Sequence, residues 1–102
     1  MAINIDSQTT KKLIPMIKRP ILTFGFSSNA EIRAKNTSFN NTQTTFDLFI
    51  NKQYLTKIEL QVPGKHNISN ALGAIAIAWE LGITTDYIQK GLKKYSGVWR
   101  RF

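Results

Sequence analysis

Ten consecutive residues carry most of the polar chemistry this chain places at close spacing: Pro63-Gly64-Lys65-His66-Asn67-Ile68-Ser69-Asn70-Ala71-Leu72. They set one imidazole and two carboxamides at the start of a helical pattern. The first N–H groups of a helix lack backbone partners and favour anions. Asn67 and Asn70 are three apart, hence on one helix face. A carboxamide offers a donor and an acceptor together, which matches the N6/N7 edge of adenine. The same residues also suit a plain structural role, with Asn67 capping the helix and His66 packed in a loop.

Other candidates are weaker. Gly64-Lys65 invites comparison with a phosphate-binding loop, but G-x-x-x-x-G-K-[ST] needs a glycine five residues earlier and a hydroxyl after the lysine. Glu59 and His66 occupy those places. Arg100-Arg101 could grip a phosphate with its paired donors, or simply be a solvated basic pair. Trp79 and Trp99 read as core residues. The six acidic residues are dispersed, and no pair has the spacing of a metal or acid/base site. The chain has no cysteine and one histidine, which excludes thiolate zinc sites, cysteine nucleophiles and clusters of imidazoles. No catalytic residue and no metal ligand is expected within it.

The elements that must position these groups fall within one domain, since 102 residues allow no more. Hydrophobic content of 42% and charged content of 20% are those of a globular chain. Lys and Arg outnumber Asp and Glu by 14 to 6, which favours polyanion partners. The bases are scattered rather than massed, however, and the alternative of a small basic nucleic-acid-binding module rests on charge alone. It lacks an RNP-like aromatic pair, a GXXG loop and a recognition-helix pattern. No apolar run approaches a membrane span, and the N-terminus lacks signal-peptide order, so a cytoplasmic location is expected.

Residues 2–6 are a strand candidate, followed by a helix that Asp6 or Ser7 can cap and that carries Leu13, Ile14 and Ile17, with Pro15 limiting its length. Residues 21–26 read as a second strand, and the order strand, helix, strand predicts a parallel α/β unit. A third strand is expected over 30–35, then a polar loop over 36–42 with a turn at Asn40-Asn41. Residues 46–50 and 56–60 flank Asn51-Lys52-Gln53 as a hairpin. Val62-Pro63-Gly64 ends that small antiparallel sheet. Ile68, Leu72, Ile75 and Trp79 then fall at helical spacing over 67–81, and intervening alanines predict a helix buried on most sides. Gly82 should end it. Thr84 should cap a last helix, with Ile83 and Ile88 as a hydrophobic staple and Ile88, Leu92 and Tyr95 facing inward.

The segment from Pro63 through Leu72, continued by Gly73-Ala74-Ile75-Ala76, resembles the G-x-H-N-x-x-N-A-L-A-A-I-A signature of the Mur ligases. The spacing to Leu81-Gly82-Ile83 and to Tyr95-Ser96-Gly97-Val98-Trp99-Arg100-Arg101-Phe102 is also similar to that family. Arg100-Arg101 before Phe102 resembles its L-alanine-adding member, as do Thr23-Phe24-Gly25-Phe26-Ser27 and Asn4-Ile5-Asp6. The resemblance covers essentially the whole chain and is strong after Val62.

It implies an α/β fold, the second half of a P-loop-type central domain, with parallel strands, a small antiparallel sheet and two C-terminal helices. It further implies that residues 1–102 are part of an ATP-binding domain. The phosphate loop, the magnesium ligands and a UDP-sugar domain would precede the chain, and an amino-acid domain would follow. His66, Asn67 and Asn70 would lie at ATP, with Asn70 on the adenine edge and Arg101 closing the domain near the nucleotide. Position 73 is Gly where Ala is usual, a change that weakens a helix by about 1 kcal/mol. The family reaction is ATP-dependent amide formation, here joining L-alanine to UDP-N-acetylmuramate. The implied partners are those substrates and the remaining ligase domains, with no nucleic acid and no membrane. The segment alone is expected to be inactive.

Overall fold

The computed structural model describes residues 2–16 and 21–94. One five-stranded mixed sheet runs in the order β1 (Ala2–Asn4), β2 (Leu22–Gly25), β3 (Ile32–Phe39), β4 (Thr44–Ile50) and β5 (Gln53–Leu60). β1 to β3 are parallel and β3 to β5 antiparallel, so the expected small antiparallel sheet is attached to the parallel one as a continuous surface. A parallel pair normally needs a long crossover. The loop from β2 to β3 escapes that need because the strands overlap at only two pairs, Phe24 with Ile32 and Gly25 with Arg33. The chain therefore returns over a very short distance.

α1 (Gln8–Leu13) crosses from β1 towards β2, and a 3-10 turn over Ile14–Met16 follows it. Ser7 is its cap, accepting from the Thr10 N–H at 3.3 Å. Asp6, the other candidate cap, serves elsewhere. Ile17, the third apolar residue of the expected helix, lies outside the described residues, as do Tyr95 and Trp99.

The hairpin strands are longer than their sequence pattern indicates. β3 continues through the expected loop to Phe39, with a bulge between Lys35 and Ser38 where Asn36 takes a φ of 53°. Asn40 does make the turn: its side-chain oxygen accepts from the N–H groups of Thr42 and Gln43 at 2.9 and 2.7 Å. Polar Thr44 then begins β4 fully buried, its hydroxyl donating to the Val62 carbonyl at 2.8 Å. Alternation along β4 sends Thr44, Phe46, Leu48 and Ile50 inward.

α2 (Lys65–Glu80) packs across β1, β2 and β3, whereas α3 (Thr85–Lys93) lies on β5. Ile68, Leu72 and Ile75 of α2 close the core over Ile32, Leu48 and Ile58. Gly73 lets the Phe24 ring approach; a β-carbon there would stand 3.3 Å from the ring. The expected burial of α2 on most sides is corrected. Sheet and α3 cover only one stripe, leaving Ile77 and Trp79 57% and 39% exposed. Trp79 is therefore not a core residue: it lies in the last turn of α2.

α2 ends as expected. Gly82 takes φ 80°, its N–H donates to Trp79, and the Ile83 N–H reaches back to the Ala78 carbonyl. Thr84 caps α3 through Tyr87, and Ile88 is buried. Gln89 fixes α3 on β5 by donating to the Thr56 hydroxyl and the Lys57 carbonyl, both at 2.9 Å. Among the described residues no helix is long and apolar enough to cross a membrane.

Candidate nucleotide site at the start of α2

The carboxyl ends of β1 and β2 meet the N-terminus of α2, the place where parallel α/β sheets commonly hold ligands. A cleft of about 470 Å³ opens there, lined by Asn4, Asp6, Phe26, Lys65, His66 and Ser69. Its floor is held by Asp6. Both carboxylate oxygens accept from the Phe26 N–H at 3.0 Å, and Oδ1 also accepts from the Ser27 N–H at 3.0 Å. Asn4 orients that corner by accepting from the Asp6 N–H at 2.9 Å. Lys65 crosses the opening with its ammonium 4.7 Å from the centroid of the Phe26 ring, a cation–π arrangement.

Gly64 precedes the helix at φ 103° and offers no side chain to cap it. The Asn67 N–H donates to the Gly64 carbonyl at 3.1 Å, which leaves the uncapped N–H groups of Lys65 and His66 for a ligand, beside the side chains of those same two residues. Among the described residues, no three His, Asp or Glu side chains converge as a metal site.

The residues expected at the nucleotide separate into distinct positions. His66 lines the cleft. Asn70 is exposed one turn further along the same helix face and is not part of the cleft lining. Asn67 is neither a helix cap nor free: its amide nitrogen donates to the Pro63 carbonyl at 2.8 Å and braces the turn into α2. Its second amide N–H and its side-chain oxygen are left for a ligand. Arg101 lies outside the described residues. The remaining lining residues, Asn4, Asp6, Phe26, Lys65 and Ser69, have no part in the site as read from sequence, although Lys65 and Ser69 lie in the segment singled out there. The signal that could have found them was positional, since the ends of parallel strands in an α/β unit point at one crevice.

A family model described as the Mur ligase middle domain matches residues 1–78. The chain belongs to the Mur ligase family. This Mur ligase segment is 37% identical over 98 residues to UDP-N-acetylmuramate--L-alanine ligase of Burkholderia vietnamiensis, covering 96% of the chain and 21% of that protein. It is 38% identical over 97 residues to the protein of that name from Oleidesulfovibrio alaskensis, covering 95% and 21%. It therefore spans about a fifth of the length of these curated relatives.

Among solved structures, UDP-N-acetylmuramate-alanine ligase of Thermotoga maritima superimposes with a TM-score of 0.70 at 30% identity, over 79% of this chain and 19% of that one. The D-alanyl-D-alanyl-adding ligase of Acinetobacter baumannii gives 0.83 at 23% identity, over 95% and 21%. The latter likeness speaks to the fold alone. The α/β arrangement of the Mur ligase central domain is thus the one this chain adopts.

Proposed function

We propose that this chain forms part of the ATP-binding central domain of a cytoplasmic ligase that joins L-alanine to UDP-N-acetylmuramate for peptidoglycan synthesis. The reading rests on one observation above others: the cleft at the carboxyl ends of β1 and β2 receives His66 and the uncapped start of α2. The relatives named for the L-alanine-adding reaction support the substrate pair.

In this reading ATP phosphorylates the substrate carboxylate, the amine of L-alanine attacks the acyl phosphate, and phosphate departs. The chain's own residues bind and orient rather than react. The α2 N-terminus and Lys65 favour the negative charge of the nucleotide. His66 and the second amide N–H of Asn67 sit beside that charge, and Asn70 presents its carboxamide to the adenine edge. Arg101 would close over the nucleotide. Asp6 holds the β2 corner so that Phe26 and Lys65 form a fixed wall. The residues present fit an adenine nucleotide as one wall of its site. The phosphate loop, the magnesium ligands, the UDP-sugar domain and the amino-acid domain are assigned to the rest of the ligase.

The test is a phosphate-release assay with ATP, magnesium, UDP-N-acetylmuramate and a panel of amino acids. A polypeptide carrying this segment together with the other domains should turn over with L-alanine. Residues 1–102 alone should release no phosphate above blank, because positioning of the γ-phosphate is missing. Turnover by the 102-residue chain alone, or a preference for a peptide substrate over L-alanine, refutes the assignment.

A further inference from the structure

A second cleft, of about 360 Å³, lies where the loop after β2, the start of β3 and the β4–β5 turn come together. Its walls include Ser28, Asn29, Arg33, Lys35, Phe49 and Lys52, so three cations line it and no carboxylate does. Arg33 and Lys35 are half-buried. None of the three has an ion-pair partner among the described residues. The neighbouring acids are engaged elsewhere: Asp47, opposite Lys35, is shared by Lys57 at 3.7 Å and Asn36 at 2.8 Å, and Glu31, two residues before Arg33, accepts from the Thr23 N–H and hydroxyl at 3.4 Å.

Two of the cations are held by their side chains and the third, exposed Lys52, by its backbone in a turn. Arg33 Nε donates to the Phe26 carbonyl at 3.1 Å, which aims the guanidinium and leaves its terminal nitrogens without a bond to any of the described residues. Lys35 lies with its ammonium 5.0 Å from the centroid of Phe49. Lys52 occupies a left-handed position, φ 68°, directly after Asn51 at φ 51°. A two-residue hairpin turn of this kind favours Asn followed by Gly, so lysine stands where glycine would be relaxed. The turn is tied to the β3 entrance by the Asn51 N–H, which donates to the Glu31 carbonyl at 2.8 Å.

We propose that this cleft binds a phosphate-bearing anion. Three like charges gathered without a counter-charge repel one another, and an anion between them removes that repulsion. A forked guanidinium with two ammonium groups matches the several oxygens of a phosphoryl group. Phe49 offers no stacking platform, since Lys35 covers its face and Tyr54 meets it edge-on with centroids 5.7 Å apart. The occupant is therefore recognised by its phosphate rather than by a planar base. The inference stands apart from the adenine reading of the α2 cleft and does not depend on it.

The test titrates inorganic pyrophosphate into the full chain at about 0.15 M salt, where diffuse attraction is largely screened, and follows amide NMR signals. Saturable shifts are expected at Ser28, Asn29, Asn51 and Lys52. Lys52→Gly should raise Kd about tenfold, or 1.4 kcal/mol, while the melting temperature does not fall, because glycine suits the turn. Arg33→Gln should weaken binding similarly. Lys90→Ala removes a cation already paired with Asp86 and should leave Kd unchanged.

Glucose 6-phosphate provides the second arm. Affinity matching pyrophosphate supports a phosphate monoester as the natural occupant, and much weaker binding supports a diphosphate. Shifts confined to Gly64, Lys65 and His66, or a loss with Lys90→Ala equal to that with Lys52→Gly, overturn the proposal.

Discussion

The carboxylate of Asp6 occupies the space that a β-carbon on residue 25 would need: an ideal β-carbon at Gly25 would stand 2.6 Å from Asp6 Oδ1. Gly25 also has φ 151°, a conformation that side chains rarely adopt. The end of β2 can therefore receive the Asp6 clamp only because residue 25 has no side chain.

Gly25→Ala should destabilise the fold by about 2–4 kcal/mol, combining backbone strain with loss of charge-assisted hydrogen bonds at Phe26 and Ser27. In an Asp6→Ala background the same change should cost only about 1–2 kcal/mol, since the clamp is already gone. Urea denaturation of the four proteins of this cycle measures the difference. Additive costs would show that Asp6 and Gly25 act independently.

Asn70→Ala in the full ligase should raise the KM for ATP roughly 5- to 150-fold, the equivalent of a lost paired contact of about 1–3 kcal/mol. Adenine is held alike in the ground and transition states, so kcat should change little. Asn70 is exposed, so the melting temperature should barely move. Steady-state kinetics beside a thermal melt separate these effects, and an unchanged KM in a well-folded variant removes Asn70 from the site.

Thr44→Val keeps the side-chain shape but deletes the buried hydroxyl that donates to the Val62 carbonyl. An orphaned carbonyl is expected to cost about 1–2 kcal/mol. Because Val62 leads directly into the Pro63-Gly64 turn, the variant should also loosen the approach to α2. Chemical denaturation reads the first effect, and hydrogen exchange at the Lys65 and His66 amides reads the second.

Periodicity made the helices and the buried stripe of α2 legible, and turn chemistry located Asn40, Gly82 and Thr84. Strand ends were less legible, because Thr44 is a polar residue buried on a hydrogen bond that its type does not announce, and exposed Gln53 and Tyr54 are paired by register rather than by burial. Burial around α2 was overestimated because alanines are apolar wherever they point, and only a partner surface decides which face is covered. In the site, His66 was visible from its own chemistry. Asp6 was misjudged for a physical reason: an acid before a helix looks like a cap, and only the parallel pairing of β1 with β2 brings its carboxylate to Phe26 and Ser27. Asn67 shows the same limit, since its bond to Pro63 depends on a turn geometry that residue type does not specify.

The brief overlap of β2 with β3 has a kinetic consequence. Two residue pairs join a meander whose strands are all sequence neighbours to a parallel half whose strands meet only after a long excursion of the chain. Local pairings close early because little loop entropy opposes them, and distant ones close late. The β3–β5 meander with α3 should thus behave as one cooperative unit, and β1–β2 as a second that docks onto it and opens first. In native-state exchange, the amides of Phe46 and Leu48 should report global unfolding. Those of Ile3 and Thr23 should exchange through a smaller opening that dismantles the cleft at the start of α2 while the meander stays intact.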